Sequence, residues 1–324
     1  MRFEILETFK DILRLTRWSN LLFLGALVWV MEKWVATPIL DHAAFGEQLP
    51  GYLLVLTALA IVLIAAGGYV INDYFDLKID RINRPDSVIV GQSISKPTAM
   101  RLSVGLSAAG VVCGIICAIL LRSMTIGIIY AIVPGLLWFY SASYKRLLLI
   151  GNLTIALLAA LTPMMVAMTN VALLQVRYAA ILPYTTLEHE LYGWLGGFAL
   201  FAFLLTWIRE IIKDMQDQMG DREFECHTLP IVWGERWTKI IVTGLVVLTI
   251  AIIGHLWYYI LPFPTGWMSL STRYIALGIV TPLIGVIGLL WSAKIPSDYK
   301  TCQQLVKFTM LLGMLYSICI LRGF

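Results

Sequence analysis

Six aspartates in this chain fall into two triplets of identical spacing. Asp73, Asp76 and Asp80 lie in the run Asn72-Asp73-Tyr74-Phe75-Asp76-Leu77-Lys78-Ile79-Asp80, and Asp214, Asp217 and Asp221 in the run from Asp214 to Asp221. Positions i, i+3 and i+7 of a helix share a face, so each run predicts three carboxylates pointing one way. A single aspartate of this kind reads as a solvated helix cap. Two matched triplets, each closing a long apolar segment and each followed by basic residues, ask for a common ligand. Without a counter-charge at a membrane edge they repel one another and lose hydration. A divalent cation answers both costs, and oxygen donors select Mg²⁺, with Mn²⁺ as a substitute, over zinc. Neither run has the spacing of a calcium-binding loop. The basic residues Lys78, Arg81, Arg84, Lys145, Arg146, Lys213 and Arg222 suit the oxygens of a diphosphate that the metal partly neutralises. A diphosphate is a leaving group, and cations stabilise the charge that develops on it. With an apolar space for a hydrocarbon tail, the combination predicts transfer of a prenyl group inside the membrane.

The elements that must position these residues are apolar helices. Of 324 residues, 59% are hydrophobic and 14% charged, and the mean hydropathy is +0.82. A soluble domain carries about 25% charged residues, so this is an integral membrane protein. The net charge of +4 is then a signal of topology and not of nucleic-acid binding. Nine apolar segments of about 18–22 residues match a hydrocarbon core of roughly 30 Å. They run over about Leu15–Lys33, Tyr52–Ile71, Arg101–Leu121, Thr125–Ser143, Leu148–Met168, Leu191–Ile212, Lys239–Ile260, Tyr274–Trp291 and Gln304–Leu321, with residues 34–50 read as a loop. With the N-terminus inside, 19 Lys and Arg fall on that side and 5 on the other. This bias puts the N-terminus and both acidic runs on the cytoplasmic side and the C-terminus opposite. An even number of spans separates the runs, so the second and sixth spans with their loops predict a parallel internal repeat. Residues 1–15 alternate apolar and charged side chains as an interfacial amphipathic helix does. The five cysteines read as structural thiols, and the four scattered histidines as neither ligands nor bases.

The motifs together resemble those of the UbiA family of intramembrane prenyltransferases. Asn72, Asp73, Asp76 and Asp80 match its Asn-Asp-x-x-Asp-x-x-x-Asp motif, and Asp214, Asp217 and Asp221 its second motif. Tyr140-Ser141-Ala142-Ser143-Tyr144-Lys145-Arg146, the stretch Thr228–Gly234, and the pair Arg17 and Asn20 are family-like as well. The resemblance covers essentially the whole chain as one domain, residues 1–324. It implies an all-α fold of nine transmembrane helices around a central chamber, capped by two polar cytoplasmic loops. It also implies two Mg²⁺ ions held by Asn72, Asp73, Asp76, Asp214 and Asp217. Asp80 and Asp221 would support them or partner the basic groups. Lys145, Arg146 and Lys213 would bind diphosphate, and Asn20 would lie near the reacting atoms. One stretch departs from the pattern. Where quinone-pathway members carry Asn-x-Pro-x-Arg-Pro, this chain has Asn83-Arg84-Pro85-Asp86-Ser87-Val88. The overall pattern resembles the geranylgeranylglycerol-phosphate geranylgeranyltransferase branch.

The expected reaction is ionisation of a polyprenyl diphosphate and attack by an acceptor at C1, with pyrophosphate released. The acceptor is a lipid, geranylgeranylglyceryl phosphate, or alternatively the aromatic ring of a quinone precursor. Tyr69, Tyr74 or Tyr140 could steady the allylic cation by a ring face. Tyr140 and Tyr144 also read as interface or core residues. Leu157 and Phe203 are candidate chamber-lining residues. A secondary transporter is the rival of another class, and the acidic runs at helix ends argue against it. No nucleic acid or obligate protein partner is implied, and the expected site is the inner or plasma membrane of a prokaryote.

Overall fold

The computed structural model describes residues 2–45, 48–261, 266 and 269–323, and the regular structure among them is helical. Nine helical segments there are long and apolar enough to cross a membrane: α1 Trp18–His42, α2 Gly51–Asn83, α3 Lys96–Leu120, α4 Met124–Ala142, α5 Ile150–Tyr178, α6 Leu187–Gln216, α7 Gly234–Ile260, α8 Leu270–Ser292 and α9 Pro296–Leu321. The chain is a multi-pass integral membrane protein. A further helix, Arg2–Leu15, precedes the spans.

Several spans outrun their apolar segments, for local reasons. Residues 34–42, expected in a loop, continue α1. A wide π-type turn over Met31–Ala36 resets the register, and Pro38 falls in the first turn of Thr37–His42, where its missing N–H is not needed. The first acidic run is helical throughout because no Gly or Pro interrupts Asn72–Asn83, and Pro85 ends it. Glu188 and Glu190, also expected in a loop, sit in the first turn of α6, where the helix dipole favours them. At the start of α9 the Asp298 carboxylate accepts from the backbone N–H groups of Lys294 and Ile295, at 2.9 and 3.2 Å.

The second acidic run departs from expectation. Helix α6 ends at Gln216, Asp217 is a non-helical junction, and Gln218–Glu223 is a separate short helix. Asp214, Asp217 and Asp221 therefore do not share one helix face.

Three apolar clusters form the walls. One joins α6 to α9 around Ile208, Val242, Leu283 and Val306, one joins α1, α5 and α6 around Met31, Val166 and Leu191, and one joins α2 to α5 around Ala60, Cys117, Ile126 and Met165. Between α2 and α3 the backbones nearly touch. A Cβ at Gly67 would lie 2.2 Å from Ser107 Oγ, and one at Gly110 would lie 2.9 Å from both Ala60 O and Ile64 N. Ser103 Oγ donates to Gly67 O across this contact at 2.8 Å. Close approach of this kind is how helices associate in lipid. Gly110→Ala is expected to destabilise the protein by about 1–3 kcal/mol. Gly105→Ala, whose Cβ would meet nothing within 4 Å, should be neutral or slightly stabilising. Thermal unfolding of the detergent-solubilised variants checks the opposite signs.

Candidate active site

The two acidic runs meet at one end of the bundle, as an even number of intervening spans requires. Asn83, the last residue of α2, joins them. Its Nδ2 donates to the backbone oxygen of Asp217 at 3.1 Å, and its Oδ1 accepts from the backbone N–H of Gly220 at 2.8 Å. A Cβ at Gly220 would fall 2.6 Å from that amide, so the position has room only for glycine. The neighbouring Arg84 donates through Nη2 to both carboxylate oxygens of Asp217, at 2.7 and 2.5 Å. These contacts engage Asp217, at the break between the two helices, through both its backbone carbonyl and its side chain.

Most of the other aspartates also hold a donor. Arg17 Nη2 donates to Asp73 Oδ1 at 2.9 Å while its guanidinium lies 4.9 Å from the centre of the Tyr69 ring. Arg17 has φ 53° and ψ 53°, a left-handed turn between the Arg2–Leu15 helix and α1 that costs about 1–2 kcal/mol. Lys145 is ion-paired with Asp76, whose other oxygen accepts from Asn72 Nδ2 at 2.8 Å. Asn152 Nδ2 donates to Asp214 Oδ2 at 2.9 Å. Glu210 is paired with Arg209, and Lys213 Nζ lies 4.0 Å from its other oxygen. The Tyr144–Arg146 turn is seated against α5, where a Cβ at Gly151 would come within 2.6 Å of Lys145 Cα. It is tied to the second polar loop by the His227 N–H, which donates to Arg146 O at 2.8 Å.

Asp80 and Asp221 line the same cavity, and among the described residues neither makes an ion pair. The basic groups thus partner Asp73, Asp76 and Asp217; of the two roles expected for Asp80 and Asp221, support of the metal set or partnership with the basic groups, the second is not seen among the described residues. Burial, and then the charge of Asp217, push the Asp221 carboxyl up to about 7. In the unfolded chain it ionises near pH 4. Between those values the unfolded state releases the proton first, so rising pH weakens the metal-free fold across that window. A divalent cation favours the ionised form. The rise in Tm on adding Mg²⁺ is therefore expected to be larger at pH 8 than at pH 6, and Asp221→Asn should reduce the difference.

The polar cavity opens into a second, larger one. Arg17, Asn72, Arg84, Tyr140, Glu210 and Lys213 line both. The larger chamber has a volume of about 1120 Å³ and apolar walls that include Phe23, Ile61, Val133, Leu161 and Met165. Asn20 and Tyr69 line it, and Arg146 lines the polar cavity. Other expected residues are elsewhere. Lys78, Arg81 and Arg222 are exposed and line neither cavity, and Tyr74 packs on Phe75 with ring centres 5.3 Å apart. Leu157 is exposed outside the chamber and Phe203 packs on Trp207, so neither is a wall residue. Sequence reading overlooked Asn83, Asn152 and Glu210. The adjacent charges Arg209-Glu210 inside an apolar span were the signal for the last.

Comparison with known proteins bears on this site. The model of the UbiA prenyltransferase family matches residues 35–313. The digeranylgeranylglyceryl phosphate synthase of Methanosphaera stadtmanae is 32% identical over 208 residues, which is 64% of this chain and 68% of that protein. Curated relatives of the same name are spanned over about three fifths to two thirds of their length. A solved structure described as digeranylgeranylglyceryl phosphate synthase in membranes aligns with TM-score 0.60 and 25% identity, covering 96% of this chain and 99% of that one. A UbiA homologue from Archaeoglobus fulgidus bound to DMAPP and Mg²⁺ aligns with TM-score 0.56 over 97% of this chain and 100% of its own, at 14% identity, a likeness of fold.

Proposed function

The chain belongs to the UbiA prenyltransferase family, and on that premise we propose that it transfers a geranylgeranyl group from its diphosphate to the free hydroxyl of geranylgeranylglyceryl phosphate. Pyrophosphate is released, and Mg²⁺ is required. The observation that carries the reading is the junction of a carboxylate- and base-lined cavity with an apolar chamber of about 1120 Å³. Ordinary ligand pockets span roughly 300–1,000 Å³, so the chamber has room for the hydrocarbon chain of a lipid acceptor beside that of the donor. The names of the curated relatives support the same acceptor.

Asn72, Asp73, Asp76, Asp214 and Asp217 would hold the metal. Their donors are all oxygen, the set that suits Mg²⁺ and its substitute Mn²⁺. As they stand, no three acidic, histidine or cysteine side chains among the described residues converge on one point, because Arg17, Lys145 and Arg84 sit on three of the carboxylates. These cations serve as counter-ions until the substrate arrives and then turn to the diphosphate oxygens. When bound, the metal supplies neutralising charge to the leaving group. Lys213 and Arg146 add positive charge on the cavity wall, and Tyr69 and Tyr140 present rings where the apolar chamber begins. The prenyl C1–O bond breaks with its electron pair on the diphosphate oxygen, and the acceptor oxygen forms the new bond to C1. Asp80 and Asp221, which line the polar cavity without an ion pair among the described residues, would take the hydroxyl proton. The apolar walls keep water from the cation. The positive-inside bias orients the site to the cytoplasm, with the Arg2–Leu15 helix at that interface.

The test offers labelled geranylgeranyl diphosphate and Mg²⁺ to the purified protein beside geranylgeranylglyceryl phosphate, and separately beside 1,4-dihydroxy-2-naphthoate and 4-hydroxybenzoate. Product with the glycerol phosphate alone is expected. Product with an aromatic acid alone would move the protein to quinone synthesis.

A further inference from the structure

The chamber mouth carries more positive charge than the diphosphate site uses. Lys300, Gln303, Gln304 and Lys307 of α9 all line the chamber, and their i, i+3, i+4, i+7 spacing puts them on one face over about 10 Å of helix. Further along, the same face turns apolar, with Phe308 and Leu311 on the chamber wall. A polar stretch giving way to an apolar one along a single helix face is the profile of an amphiphile.

The lysines of that face lack counter-ions. Among the described residues neither Lys300 nor Lys307 makes an ion pair. Arg209, Arg17 and Lys213 act on Lys307 as like charges, and Glu210 opposes them. Glu210 already answers Arg209 and Lys213, and Arg17 is committed to Asp73. Asp86, the other carboxylate on the chamber wall, pairs with neither lysine among the described residues. Cations left unmatched beside an apolar cavity in a membrane protein mark a place for an anion. The prenyl diphosphate has its own set in Lys145, Arg84 and the aspartates. The surplus belongs to a second anion, adjacent to the first because Arg17 and Lys213 line both cavities.

We infer that the Lys300–Lys307 face of α9, with Arg209 opposite, is the headgroup site for the phosphate of a lipid acceptor, whose hydrocarbon chain lies along Phe308 and Leu311. The inference rests on the acceptor reading above and assigns residues to it. A phosphate monoester needs several N–H donors at short range, which two lysines and a guanidinium supply. The adjacency of the two cavities lets a hydroxyl on the same glycerol reach the prenyl C1. A small aromatic acid would have no use for the apolar half of the face.

The same face could also take an anionic phospholipid of the bilayer, and the experiment separates the two. Wild type, Lys307→Gln, Lys300→Gln/Lys307→Gln and Lys307→Arg are assayed as full chains in phosphatidylcholine vesicles, with and without phosphatidylglycerol. KM is measured for geranylgeranyl diphosphate and for geranylgeranylglyceryl phosphate, with neutral geranylgeranylglycerol as a second acceptor. The double variant is expected to raise the phosphate acceptor's KM about tenfold or more and to lose the preference over the neutral acceptor. The donor's KM should stay within about twofold, and Lys307→Arg should recover most of the loss. A rise in the donor's KM instead would assign the lysines to the diphosphate. An altered response to phosphatidylglycerol with an unchanged acceptor KM would assign them to bulk lipid. Either result overturns the inference and leaves the proposed reaction standing. A wild-type protein that prenylates only aromatic acids would remove the proposed reaction and this site with it.

Discussion

Asp76→Asn and Asp217→Asn should each lower prenyl transfer by about 10²–10³-fold or more, comparable to removing one group that stabilises charge developing in a transition state. Asparagine keeps the size of the side chain and removes its charge. At Asp76 the change also removes the charge that Lys145 is paired with, and at Asp217 it replaces one of the two oxygens that Arg84 engages. The released cations remain available to diphosphate, so substrate binding should fall less than turnover. Single-turnover product formation beside a diphosphate-binding measurement distinguishes the two. Chelation of the wild type should abolish turnover in the same way, with recovery on adding Mg²⁺ or Mn²⁺, while neither variant should recover with excess metal. Wild-type rates in both variants would overturn the assignment of these carboxylates to the metal.

Glu210→Ala is the substitution with the largest expected effect on stability. Glu210 is only 6% exposed, takes an ion pair from Arg209, and lies 4.0 Å from Lys213. Its removal leaves Arg209 without its ion-pair partner, one turn from Lys213 and near the like charges of Lys307 and Arg17. Breaking a buried pair from one side costs about 3–5 kcal/mol, most of it from the charge left uncompensated. A large fall in the midpoint of thermal unfolding is expected, with Glu210→Asp intermediate. An unchanged midpoint would mean that water or lipid headgroups already compensate Arg209. Activity should fall as well, since Lys213 loses the group that aims it.

The first half of the site could be read directly from the chain. From Asn72 to Asn83 nothing breaks a helix, so the spacing of Asp73, Asp76 and Asp80 translates into a common face. The second half could not, although its spacing is the same. Residues 214–221 contain no proline, and the only glycine, Gly220, lies beyond the break. The helix opens at Asp217, where Asn83 and Arg84, more than a hundred residues away, engage that residue from the side. Local propensity carries no trace of such a contact. The span boundaries missed for a related reason: length was judged from the apolar stretch, while Glu188, Glu190 and Asp298 are held in helix by dipole and capping contacts. The chamber walls lay furthest from reach, since which face of α5 or α6 turns inward depends on all the neighbouring spans. That is why Leu157 faces outward and Phe203 packs aside.

The Asn83–Arg84 contact with Asp217 and Gly220 also makes the two halves of the site a single thermodynamic unit. A ligand that draws Arg84 away from Asp217 loosens the first polar segment and the second together, and a ligand arriving next meets a carboxylate already vacated. Linkage makes this help reciprocal: whatever factor the anion adds to the affinity for the cation, the cation adds to the affinity for the anion. On the proposed reaction, donor and metal would therefore load as a cooperative pair.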